Sequence, residues 1–180
     1  MNQTQQVTRS RTFSWSDPAL TAARVGFTSG LEMLRAMIAG ELPPPPILEL
    51  VGWTGMEAEE GRVALLMPAQ EFHYNPLGTV HGGIIATLLD TAAACTVHST
   101  LPAGVGYTSL DLMTRFLKPA SVASGVLRCE GTLISRGRRT AAAEARLTDE
   151  RGTLLAHATS TCMLFDLPAA SPGAVDDVVA

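Results

Sequence analysis

Residues 75 to 90, NPLGTVHGGIIATLLD, hold the groups best placed to do chemistry. A polar loop containing Asn75, Pro76 and Gly78 ends at His81-Gly82-Gly83 and runs into an almost wholly apolar stretch carrying one carboxylate, Asp90. A glycine pair at a helix start leaves backbone N–H groups approachable, so that end can bind an anion or a developing oxyanion. An acid inside an apolar helix costs free energy unless it is hydrogen-bonded, hydrated by a cleft or partly neutralised. Donor and acid together suit acyl hydrolysis: the Gly82 N–H polarises a carbonyl, and Asp90 serves as general base or nucleophile. The competing structural reading is a Gly-rich turn followed by a core helix with one paired Asp. Gly83 is then a small residue that permits close packing.

Helix geometry constrains how these groups could cooperate. His81 and Asp90 are nine residues apart, about 13 Å of rise and roughly two and a half turns. They face opposite ways and cannot act on one atom from one copy of the helix. A two-fold dimer would bring Asp90 of one protomer to the Gly82 end of the other and create two equivalent sites.

The pattern Asn75-x-x-Gly78-x-x-His81-Gly82-Gly83, followed by Leu89-Asp90, resembles the signature of the PaaI-like acyl-CoA thioesterases of the hotdog fold. That group also includes the 4-hydroxybenzoyl-CoA thioesterase branch. The resemblance continues through GYTSLDLMTRFLKPA, residues 106 to 120, and on to about Phe165, covering roughly residues 47 to 166. It implies that Asn75 and His81 sit near the substrate carbonyl and fix the loop or water, that Gly83 borders the substrate, and that Ser109 helps hold a water near Asp90. It also implies a homodimer as the active unit, paired into a dimer of dimers. No resident cofactor is expected, since coenzyme A is part of the substrate. Two departures separate the chain from the 4-hydroxybenzoyl-CoA branch: the acid is Asp where that branch has Glu, and Ala94 stands where it has Thr. They leave a small aryl or a medium-chain acyl group open. Two other functions compete. A hotdog hydratase or dehydratase would use a His–acid pair in a sequence context absent here. A non-catalytic acyl-CoA binding or sensing module would have lost the helix carboxylate. A Ser-His-Asp hydrolase is disfavoured, because the chain has no G-x-S-x-G elbow.

The elements that must position these residues can be read from periodicity and turn chemistry. Asp17-Pro18 reads as an N-cap with Pro at N1, opening one amphipathic helix through Leu31, Leu34 and Ile38. Gly40 and Pro43–Pro46 end it and form a stiff connector. Strands are expected at Ile47–Trp53 and Arg62–Pro68, on either side of an acidic turn at Glu57, Glu59 and Glu60. The central helix is expected from Gly82 to Ser99. Extended segments follow at Tyr107–Leu117, Val122–Ile134, Thr140–Thr148 and Leu154–Phe165, separated by turns at Lys118-Pro119-Ala120, Ser135–Arg138 and Asp149–Gly152. Ala143, Ala145 and Leu147 alternate with Glu144, Arg146 and Thr148, as in a strand with one buried face. Strands gathered around one buried helix predict an α+β fold, an antiparallel sheet wrapped around a central apolar helix. The expected divisions are a disordered tail at 1–16, a helix and Pro-rich connector at 17–46, the main domain at 47–166 and a mobile acidic tail at 167–180.

Composition agrees with one globular domain: 180 residues, 46% hydrophobic and 17% charged. The net charge is -4, yet eight of the thirteen basic residues lie between Arg115 and Arg151. A basic region on an acidic protein suits a phosphorylated small ligand better than nucleic acid. Arg115, Lys118 and the Arg136/Arg138/Arg139 group are therefore candidates for the phosphates of coenzyme A, against the alternative of a solvated hairpin face. Cys95, Cys129 and Cys162 are widely spaced, so they read as reduced core residues and not as a disulfide framework or zinc site. His73, His98 and His157 have no partner pattern and read as structural or surface residues. The first seventeen residues lack the apolar core of a signal peptide, and Ile84–Val97 is too short for a membrane span. The expectation is a soluble cytoplasmic protein.

Overall fold

Helix α4 (Gly82–His98) forms the axis of the molecule in this computed structural model, which describes residues 8–168. The outer parts of the two expected tails, 1–7 and 169–180, lie outside the described residues. Ile85, Leu88, Leu89, Ala92, Ala93 and Val97 of α4 are all buried and form one broad apolar face of the helix. The surrounding sheet supplies the matching surface. Its strands are β1 (Gly55–Glu59), β2 (Arg62–Pro68), β3 (Val105–Ser109), β4 (Met113–Phe116), β5 (Val126–Arg136), β6 (Thr140–Thr148) and β7 (Leu154–Asp166). They pair antiparallel in the order β1-β2-β5-β6-β7-β3, and β4 also pairs with β7. The α+β expectation holds: one antiparallel sheet wraps one long helix.

Small residues set how closely helix and sheet approach. Ala141, Ala143 and Ala145 of β6 point inward and are buried, and Ala145 pairs with Gly131 of β5. A methyl group on Gly131 would overlap the Ala92 carbonyl and the Thr96 hydroxyl, so the helix lies directly on the sheet there. The hydroxyl of Ser99 then accepts from the Gly61 N–H at 2.9 Å, tying the β1–β2 hairpin to the C-terminal end of α4.

Before β1 the structure departs from the expected layout. The single N-terminal helix is two helices. Asp17 caps α1 (Pro18–Ala22) through the Ala19 N–H, but α1 ends before Gly26, whose φ of 90° suits glycine. A new capping box of Ser29 and Glu32 opens α2 (Gly30–Ile38), which carries the buried Met33 and Leu34. Residues 47–53, expected as a strand, form most of α3 (Pro46–Val51) and its C-terminal cap. Pro46 occupies the first turn, and Gly52 closes the end in the left-handed conformation at φ 76°. The expected acidic turn is mostly strand β1, because Glu57 faces Arg128 on β5 and forms an ion pair with it at 2.7 Å. Residues 107–117 are two strands, β3 and β4, joined at Leu110–Leu112 and lying end to end along β7. Residues 122–124 form a short 3₁₀ turn before β5. Within the tail expected to be disordered, residues 8–16 have no helix or strand, but they are anchored. Arg11 donates to the Leu50 and Glu49 carbonyls at 2.5 and 2.8 Å, and Arg9 pairs with Glu71 at 2.7 Å.

Candidate active site

The loop before α4 is built from backbone hydrogen bonds, and His73 holds them together. Its buried ring accepts from the Gln70 N–H through Nδ1 at 3.1 Å and donates through Nε2 to the Val51 carbonyl at 2.8 Å. Burial lowers its pKa and so keeps it neutral, as that bonding requires. The His73 carbonyl in turn accepts from the His81 N–H at 2.8 Å. Asn75 Oδ1 accepts from the Leu77 and Thr79 N–H groups at 2.9 and 3.3 Å, closing the turn between them. Asn75 thus closes the turn that leads toward α4.

His81 is the N-cap of α4, and its Nδ1 accepts from the Gly83 N–H at 2.8 Å. The two glycine N–H groups differ in their bonding. The Gly83 N–H is occupied by the cap, whereas the Gly82 N–H donates to no group among the described residues. A Cβ at Gly82 would stand 3.2 Å from the tip of the Phe116 ring, which packs closely over this end of the helix. Asn75, Gly82, Phe116 and Lys118 line one shallow groove at this end of the helix.

Asp90 lies eight residues further along α4, about 12 Å away by helical rise. It is half-buried, and the Ser109 hydroxyl on β3 donates to its Oδ1 at 3.1 Å. Its Oδ2 has no partner among the described residues. Asp111, two residues beyond Ser109, is structural. Its Oδ1 accepts from the Thr161 N–H at 3.1 Å, holding the β3–β4 junction on β7. The site residues therefore form two separate groups in one chain, Asn75, His81, Gly82 and Lys118 at the helix start and Asp90 with Ser109 in its middle.

The cationic candidates separate as well. Arg136 donates to the Thr100 carbonyl, so it braces the β5–β6 hairpin against the end of α4. Arg138 and Arg139 stand exposed at that hairpin, and Arg115 is exposed on β4. Arg128 leaves the basic group, because Glu57 and Glu130 hold it in ion pairs at 2.7 and 3.0 Å. Phe116 and the wall formed by Met33, Met37, His98 and Tyr107 beside Asp90 do not stand out in the sequence. The methionines of α2 carry the one available signal.

Among the described residues, no three His, Cys, Asp or Glu side chains gather to hold a metal. No described helix is long and apolar enough to cross a membrane.

Comparison with known proteins converges on one family. The thioesterase superfamily model matches residues 77–156, which include α4 and most of the sheet. An inferred esterase of Halobacterium salinarum is 30% identical over 133 residues, covering 71% of this chain and 86% of the relative. Human acyl-coenzyme A thioesterase 13 is 28% identical over 109 residues, covering 60% of this chain and 76% of the relative. The crystal structure of an inferred thioesterase from Ralstonia eutropha JMP134, described as phenylacetic acid degradation-related, superposes with a TM-score of 0.65 and 33% identity. It covers 72% of this chain and 97% of its own. With the fold and the H-G-G helix start in place, the chain belongs to the thioesterase superfamily, on its PaaI-like hotdog side.

Proposed function

We propose that this protein, a thioesterase by family, hydrolyses acyl-CoA thioesters at sites shared between two protomers. The reading rests on one observation: a free Gly82 N–H and a half-free Asp90 carboxylate lie about 12 Å apart on a single helix. Neither group alone hydrolyses a thioester, and one substrate carbonyl cannot reach both in one chain. A two-fold partner removes the difficulty by setting its Asp90 beside this chain's Gly82. The edge made by β3 and β4 has no further strand on it among the described residues, and Leu110, Met113, Phe116 and Leu117 there are each more than half exposed. Such an edge favours pairing with a second copy.

In the proposed reaction the thioester oxygen accepts from the Gly82 N–H at the positive end of α4. The partner's Asp90, acting as general base through Oδ2, takes a proton from water. The resulting hydroxide adds to the carbonyl carbon, and negative charge collects on the oxygen held by Gly82. The C–S bond then breaks, coenzyme A leaves as its thiol after taking up the proton, and the free acid remains. Ser109 keeps the carboxylate turned toward the water. No resident cofactor is needed, because coenzyme A arrives with the substrate. Lys118, beside Gly82, together with Arg115, Arg138 and Arg139, would meet its phosphates. The free cysteines fit a reducing compartment such as the cytoplasm. A pair of such dimers extends the same reading.

Thiol release from an acyl-CoA panel by the purified protein tests this directly. Removing Arg138 and Arg139 should raise KM for acyl-CoA by roughly fivefold or more while leaving KM for the matching acyl-pantetheine unchanged. Equal effects on both substrates would take the phosphates away from this hairpin. A folded protein that released no thiol from any member of the panel would refute the activity.

A further inference from the structure

We propose that the groove between α2 and α4 is the acyl pocket, shaped for an uncharged, unbranched chain of about eight to ten carbons. The proposal rests on the thioesterase reading above and names its substrate class. Asp90, Ala94 and His98 are spaced by four residues and form one stripe along α4. All three line a groove of about 490 Å³, which α2 covers with Met33 and Met37. The near end of the groove is the proposed chemical centre, where Ser109 holds Asp90. The far end carries the rings of His98 and Tyr107, whose centroids are 5.1 Å apart.

Length decides the class of substrate. From Asp90 to His98 the helix rises about 12 Å, and the facing strand β3 runs about 14 Å from Ser109 to Val105. A fully extended backbone covers about 3.6 Å in three bonds, or roughly 1.2 Å per bond, so about ten bonds fill the groove. A single aromatic ring would occupy the first turn and leave the rest without apolar contact. Charge decides the chain's far end. Burial pushes the Cys95 thiol up to about 12 and the Tyr107 phenol higher as well, while it pushes the His98 imidazole down. All three groups are therefore neutral at pH 7, which suits a methyl end and not a second carboxylate. Ala94 sits midway and is buried outside the main core cluster, so it faces the groove and sets its depth.

The test is a chain-length profile on the full-length protein. From butyryl- to octanoyl-CoA, kcat/KM should rise by up to about fourfold per added methylene. Octanoyl-CoA should exceed phenylacetyl-CoA and adipoyl-CoA by roughly tenfold or more. Ala94→Phe, and separately Met37→Phe on the half-exposed helix opposite, should reduce octanoyl-CoA turnover by about tenfold or more. Both should keep butyryl-CoA turnover within about threefold. A profile flat with length, a preference for phenylacetyl-CoA, or equal losses at all lengths in both folded variants would overturn the assignment. Affinity for the non-hydrolysable S-octyl-CoA against S-ethyl-CoA separates pocket from reaction. Tighter octyl binding without turnover keeps the pocket and removes the activity, whereas turnover with equal affinities does the reverse.

Discussion

At the Gly82 end of α4 the loop from Gln70 to His81 is tied by the two ring nitrogens of His73, the Asn75 amide oxygen and the His81 cap. At Asp90, by contrast, one hydroxyl holds one carboxylate oxygen, and the groove opens beside it. The contrast suits the two chemical roles proposed for these groups. A donor that stabilises a developing oxyanion works by being fixed in advance, so its loop is over-determined. A base must accept and release a proton and hold a water, so one of its oxygens stays unpaired. Removing a group at the acid end should therefore damage chemistry while sparing the fold. Damage at the donor end should grade from chemistry at Gly82 to stability at His73.

The largest effect is expected at the acid. Asp90→Asn keeps the shape and can still accept from Ser109, but it cannot act as a base. We expect kcat to fall by about a thousandfold, with the melting temperature unchanged within a few degrees. Turnover within a few-fold of the parent would make Asp90 structural and erase the contrast.

Next in size is Gly82→Pro. Position 82 is the first residue of α4, where proline is tolerated, and His81 has φ -60° and ψ 137°, which a following proline accepts. The substitution removes the N–H without ending the helix, and the tip of the Phe116 ring must give way by a few tenths of an ångström. The expected loss in kcat is about a hundredfold. An unchanged kcat in a folded variant would place the oxyanion elsewhere.

The smallest effect is a pH dependence at the loop anchor. Burial, more than the nearby Arg11 charge, lowers the His73 pKa, although its bond to the Val51 carbonyl opposes the shift. The unfolded state, with a histidine pKa near 6.5, then binds the proton more readily than the folded state. Stability should be fully present above about pH 6.5 and decline as the pH falls through the lower folded value. His73→Gln should have a lower melting temperature at about pH 7.5 and a shallower decline toward about pH 5. A decline identical to that of the parent would show that His73 does not titrate with folding.

The sequence is legible where a local pattern and its tertiary use agree. The alternation of Ala143, Ala145 and Leu147 is the burial pattern of β6, and the apolar run after Gly82 is α4. Both chemical groups are visible for the same reason, since an acid in that run and a glycine pair at its start break the pattern. Residues 46–52 are not legible because PILELV is apolar enough for a strand. The helix there depends on Pro46 in its first turn, on Gly52 beyond its end and on the burial of Leu48 and Val51. Strand β1 is hidden by its acids, which read as a turn until Arg128 supplies a partner for Glu57. The break between β3 and β4 comes from pairing with β7 and from Asp111 bonding across to Thr161, contacts some fifty residues away in sequence. The loop anchor His73 is legible only as a structural histidine, because its partner Val51 lies on a helix whose residues read locally as a strand.

The central claim is that one catalytic unit needs the donor end of one chain and the acid of another. Mixing inactive Asp90→Asn protein with inactive Gly82→Pro protein, after verified subunit exchange, tests it. In every hybrid dimer one site carries both defects and the other carries neither. Equal mixing with random pairing should therefore restore about a quarter of the parent activity. Activity that stays at the level of the separate variants would contradict the shared site.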